Sequence, residues 1–152
     1  MKENKNIKYL VGNKAKLDVF LQPFSHKIVN FLDDLSKSLD SKFNNKNFTD
    51  LKALSFFCRR NNILSLKIKH HNKETTRFGL GLLFHVTPSN IPTNFAYSLI
   101  FGLIAGNSNI VKVPSKKFDE ITLICKSINH VLRNTKHKDV KNMITIIRYD
   151  GK

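Results

Sequence analysis

The chain has 152 residues, enough for one domain by the usual ~100–200-residue guide, and 41% of them are hydrophobic, so a core is feasible. No apolar run reaches the ~18 residues expected of a membrane span. The polar start Met1–Asn6 is unlike a secretion signal, and the two cysteines lie far apart, which points to a cytoplasmic chain with reduced thiols.

The elements follow in chain order. Up to Pro23 the chain reads as a weakly structured lead, strand or coil around Ile7–Val11. Ser25–Leu39 is helical, with Ile28, Phe31, Leu32, Leu35 and Leu39 on one stripe. Ser41–Asn47 is a polar connector. Thr49 then caps a second helix, Asp50–Arg60, which Asn61-Asn62 ends. Ile63–Ile68 reads as a short apolar segment and His70–Arg77 as a charged linker. Gly79–Val86 is an apolar strand, and Thr87-Pro88-Ser89-Asn90-Ile91-Pro92 a turn restricted by two prolines. Phe95–Ala105 is a helix that Thr93 or Asn94 can cap, and Gly106-Asn107 stops it. Asn109–Val113 is the next strand. Phe118–Arg133 is a helix with Asp119 and Glu120 in its first turn, and Met143–Ile147 is a third strand. The expected class is therefore α/β: N-terminal helices over residues 1–77, then a partial parallel sheet, β-α-β-α-β, over 78–152. Ligands bind such sheets at the carboxyl ends of the strands, here Thr87–Asn90 and Lys112–Ser115.

The charge balance needs its own reading. The 26 basic residues against 11 acidic ones give a formal net charge of +15. A balance this large can mean nucleic acid or an anionic surface. The lysines are scattered, however, and the aromatics are mostly phenylalanines at core-like spacings, so a small basic nucleic-acid-binding module stands only as an alternative. Gly79-x-Gly81 begins a strand instead of linking a strand to a helix, so it is no phosphate fingerprint and reads as a close approach between strands. Cys58 and Cys125 fall on apolar helix faces and read as core, and His70-His71 has no partners at metal-ligand spacing. His85 fits either a packed histidine or a substrate contact.

Gly81, Pro88, Asn90, Pro92, Gly106, Asn107 and Lys112 resemble, in order and spacing, a pattern of the aldehyde dehydrogenase superfamily. With His85 before the turn, Ser89 within it, Lys112-Val113-Pro114-Ser115 after it and the upstream stretch Asp50–Ile63, the chain is similar to the long-chain acyl-CoA reductases of bacterial bioluminescence operons. That resemblance implies a nucleotide-binding domain of aldehyde-dehydrogenase type, incomplete at its C-terminus. It implies a fatty acyl-CoA or acyl-protein donor, NADP(H) as cofactor and an aldehyde product. It places Asn90 as the oxyanion donor and Thr87, Pro88, Ser89, Lys112 and Ser115 against the cofactor. Ser115 stands where many NAD-preferring members have a glutamate, so NADPH is the expected cofactor. The family's nucleophilic cysteine and assisting glutamate lie downstream of the region matched here. The expectation is thus the N-terminal part of a reductase, from a split or truncated reading frame or a partial record, inactive alone. A separate polypeptide with the downstream half would be its partner, and a non-catalytic remnant or regulatory subunit is the other reading.

Overall fold

A computed structural model describes residues 7–13, 19–43, 48–70 and 75–149. Three strands, β2 (Leu82–Val86), β3 (Ser108–Lys112) and β4 (Ile144–Arg148), run parallel in that spatial order. Helix α4 (Asn94–Ile104) connects the first pair, and α5 (Asp119–Val131) begins the connection of the second. A 3-10 turn at Thr135–His137 and a short helix, α6 (Lys138–Lys141), complete that connection. The expected β-α-β-α-β order holds. The sheet is nevertheless mixed, because β1 (Lys8–Val11) pairs antiparallel with β4 across an irregularity between Tyr9 and Val11. The lead that allowed either strand or coil thus supplies the sheet's far edge.

Strands taken in spatial sequence by right-handed crossovers place both connecting helices on one face. Helix α1 (His26–Phe43) packs against α4 and α5 and closes that layer. Its expected stripe is the core: Ile28, Phe31, Leu32, Leu35 and Leu39 are all buried, with Leu51 and Leu54 of α2 (Thr49–Cys58) in the same cluster. The opposite sheet face is uneven. Thr145 and Ile147 are buried, whereas Phe84 and Val86 on the edge strand β2 are each more than half exposed.

Three local expectations change. Asn61-Asn62 does not end the helical region. The chain breaks for one residue at Arg59, in an extended conformation, and resumes as α3 (Arg60–His70), so Ile63–Ile68 is helical. Its sequence hides this, since only Ile63 is fully buried and polar residues run all round it. The N-terminal support is distant too: Arg60 N–H donates to Asp33 Oδ1 of α1 at 3.1 Å. Neither threonine caps through its side chain. Phe48, not Thr49, holds the cap position of α2, and Thr93 at the start of α4 makes no side-chain cap bond. His71 and most of the Ser41–Asn47 connector lie outside the described residues.

The exit of α4 follows the expected stop. Gly106 takes φ +87°, its N–H bonds Leu103 O at 2.8 Å, and Asn107 N–H bonds Gly102 O at 3.0 Å, together a Schellman closure. A second left-handed residue is less expected. Phe24 has φ +54°, a conformation that costs a non-glycine residue roughly 1–2 kcal/mol. Its N–H is held by Ile104 O at 2.8 Å.

Candidate functional site

Strands β2 and β3 end in register, with Val86 opposite Lys112. Thr87 follows at once and turns back onto the neighbouring strand. Its N–H approaches Lys112 O at 3.4 Å, and its hydroxyl donates to the same oxygen at 3.1 Å. One carbonyl therefore clamps the start of the proline turn to the end of β3. Thr87 is buried by this closure, while Pro88, Ser89 and Asn90 beyond it are exposed. No hydrogen bond among the described residues involves the Asn90 side chain, so its carboxamide is not spent on an Asx-turn.

Lys112 is half-buried, and its Nζ lies 5.2 Å from the centroid of the Tyr149 ring. That contact steadies an ammonium group by about 0.5–1 kcal/mol at an accessible site. Ser115 Oγ donates to the Tyr149 carbonyl at 3.0 Å, and Arg148 Nε donates to Pro114 O at 3.1 Å. The exits of β3 and β4 are thus laced together beside the turn. Sequence reasoning passed over Tyr149 and Arg148, although a signal existed. They finish the third parallel strand, so they must arrive at the same end of the sheet as Lys112.

His85 resolves to the packed reading. Its Nε2 lies 2.9 Å from Asn109 Oδ1 and donates to it in the tautomer that carries the proton there. Asn109 is fully buried, and its Nδ2 donates to Asn107 O at 2.6 Å. The Asn109 side chain occupies the space a Cβ at Gly102 would need, which lets α4 lie close on β3. Gly81 N–H donates to Asn107 Oδ1 at 3.1 Å, and a Cβ on Gly79 would stand 2.6 Å from Gly106 O. Gly81, Gly106 and Asn107 therefore build the amino ends of the strands. Pro88, Asn90 and Lys112 stand at the carboxyl ends.

Both cysteines are buried in the core. Burial pushes each thiol up to about 12, with the Arg148 charge pulling Cys125 slightly the other way. Neither is a thiolate at neutral pH. No group of three or more metal-ligating side chains occurs among the described residues, and no helix there is long and apolar enough to cross a membrane. Two sizeable hollows, of about 340 and 470 Å³, lie away from Thr87 and Lys112. The first sits between α1 and the end of α5, beside Asp34. Burial alone would raise the pKa of that carboxyl, but hydrogen bonds from Lys136 and His137, with their charges, bring it below the ordinary value.

A family model described as acyl-CoA reductase (LuxC) matches residues 21–152. No curated protein matches the chain. The matched span takes in every helix among the described residues, the three parallel strands, the proline turn and Lys112. The chain belongs to this family of acyl-CoA reductases.

Proposed function

We propose that this acyl-CoA reductase chain supplies the nucleotide cleft and the oxyanion donor for reduction of a fatty acyl group to an aldehyde, with NADPH as reductant. One observation carries the reading: Thr87 and Lys112 are clamped together at the carboxyl ends of adjacent parallel strands, with Asn90 free in the turn between β2 and α4. The residues there fit a phosphorylated nucleotide. Lys112, Lys116 and Lys117 are cationic, and no carboxylate occurs among residues 87–90 or 112–117. Bound NADPH would supply the hydride.

Each residue has a distinct task. Lys112, steadied over Tyr149, would hold the adenosine ribose of the cofactor through its charge. Ser115, uncharged, leaves room for a 2′-phosphate, and its hydroxyl would have to turn from the Tyr149 carbonyl to donate to it, while Thr87, Pro88 and Ser89 would form the wall of the cleft. Asn90 donates from Nδ2–H to the oxygen that gains charge as the acyl carbon becomes tetrahedral. A donor aimed at that oxygen contributes ~3–4 kcal/mol of transition-state stabilisation. The acyl group must be held as a thioester by a cysteine thiolate. Cys58 and Cys125 are too deeply buried for that task, so the nucleophile comes from residues outside this sequence or from a separate polypeptide.

Nucleotide titration of the chain tests the reading. NADPH should bind more tightly than NADH, Lys112→Ala should weaken both, and long-chain acyl-CoA should not be reduced by the chain alone. Turnover that vanishes in Cys58→Ala or Cys125→Ala would overturn the assignment of the nucleophile. Nucleotide binding indifferent to Lys112→Ala would remove the strand end from the cofactor site.

A further inference from the structure

A hollow lies at the other end of the sheet. The hollow of about 470 Å³ is walled by Phe24, Leu66, Phe78, Phe101 and Ile104, and Arg77 and His70 are the charged or titratable side chains that line it among the described residues. Among the described residues, no acidic side chain lines it. Its size falls within the roughly 300–1,000 Å³ of small-molecule sites, which combine mainly apolar walls with a few polar groups. Ile104 and Ala105 lie where α4 ends and the chain enters β3, whereas Thr87 and Lys112 lie beyond the far ends of the strands. The eleven residues of α4 span roughly 16 Å, so this hollow is separate from the nucleotide end.

Two features suit it to a ligand. Phe24 reaches it from a left-handed backbone that a bulky residue adopts only under constraint, and such strain gathers at binding sites. Phe101 and Phe78 remain more than half exposed although they line a concave surface. Lys67, Lys69 and His70 occupy the last turn of α3, where the helix dipole favours cations, and His70 of these lines the hollow, with Arg77 also in the lining. Apolar walls with a cationic rim select an amphiphile whose head group is an anion.

We propose that this hollow binds one fatty carboxylate, its alkyl chain between Phe24, Phe78 and Phe101 and its carboxylate on Arg77 and His70. Such a ligand differs from an acyl-CoA thioester, whose charges lie on the CoA phosphates well beyond the acyl carbon, and from an aldehyde, which carries none. The site therefore senses free acid at a distance from the strand-end chemistry, and it stands whether or not the nucleotide reading holds.

The test is calorimetric titration of the full chain with octanoate, decanoate, dodecanoate and tetradecanoate below their micellar concentrations. Affinity should rise about fourfold per methylene until the hollow is full. Dodecanol and dodecyltrimethylammonium should bind at least tenfold more weakly than dodecanoate. Arg77 is exposed, so Arg77→Ala leaves the fold intact; it should weaken dodecanoate about tenfold and leave dodecanol within twofold. Ala105→Trp, which fills the hollow from an exposed position, should abolish binding of both. Equal affinity for alcohol and carboxylate, or binding unaffected by Ala105→Trp, would overturn the proposal. Sedimentation showing a dimer that Ala105→Trp dissociates would overturn it in favour of a second copy of the chain. Binding only to vesicles would overturn it in favour of a lipid surface.

Discussion

Asn109 and Asn90 belong to opposite ends of one sheet and live under opposite conditions. Asn109 is fully buried, bonded to His85 and to Asn107 O, and presses on Gly102. Asn90 is exposed in the proline turn, and its carboxamide engages nothing among the described residues. The amino ends of the strands are a locked joint of glycines and asparagines whose identities packing demands. At the carboxyl ends Thr87, Ser115 and Arg148 tie the strand exits together, and Asn90 stands beyond them with a side chain that the described residues leave unused. A firm frame that presents an accessible, uncommitted side chain is what a scaffold for chemistry requires.

The largest test of that contrast is Gly106→Ala. A Cβ there would stand 2.0 Å from Leu21 O, on a residue whose φ is +87°. Stability measured by urea denaturation should fall by about 3 kcal/mol or more. A loss smaller than about 1 kcal/mol would mean that the joint yields. Asn109→Ala should come next, at about 1–3 kcal/mol, because it strands His85 and the Asn107 carbonyl. Asn90→Ala should stay within about 0.5 kcal/mol in the same experiment. Equal losses at the two asparagines would erase the distinction between the ends.

The open end is probed more finely by Ser115→Glu. Like-charge repulsion should weaken NADPH by about tenfold and NADH much less, read from titrations with both nucleotides. Equal effects on the two cofactors would remove Ser115 from the site. The smallest expected effect lies in the helical layer. Asp33 and Asp34 titrate below their ordinary value despite burial, held by Lys37 and the Arg60 amide and by Lys136 and His137. A depressed folded pKa contributes stability that is full above the unfolded value near 4 and is lost as pH falls through the folded value. Thermal melts from neutral pH down through this range should show that loss, and Asp34→Asn should reduce it by about 1 kcal/mol or less.

What the sequence disclosed follows the strength of each local signal. The α1 stripe from Ile28 to Leu39 and the Gly106 stop were legible because periodicity and a left-handed requirement act within a few residues. Helix α3 was not, since its amino end rests on Asp33, far back in the chain. The antiparallel pairing of β1 was hidden for a similar reason, as four residues with one fully buried side chain carry little pattern. At the strand ends, the family pattern drew attention to Lys112 and Ser115. Tyr149 and Arg148 were legible only as the end of the third strand, and their contacts with Pro114, Ser115 and Lys112 come from the spatial arrangement. The Asn107–Asn109 joint also escaped the sequence, where two asparagines near a helix end read as turn formers.

The uncovered strand β2 has a colloidal consequence. Among the described residues no strand pairs with its outer rim, and Phe84 and Val86 there are more than half exposed, which makes a template for another copy's strand. The net charge of +15 keeps such encounters rare by mutual repulsion while the solution is dilute in ions. Near 1 M salt the screening length shrinks to about 3 Å and that protection disappears. Purification steps that elute a basic protein with concentrated salt are therefore the point at which this chain should begin to precipitate.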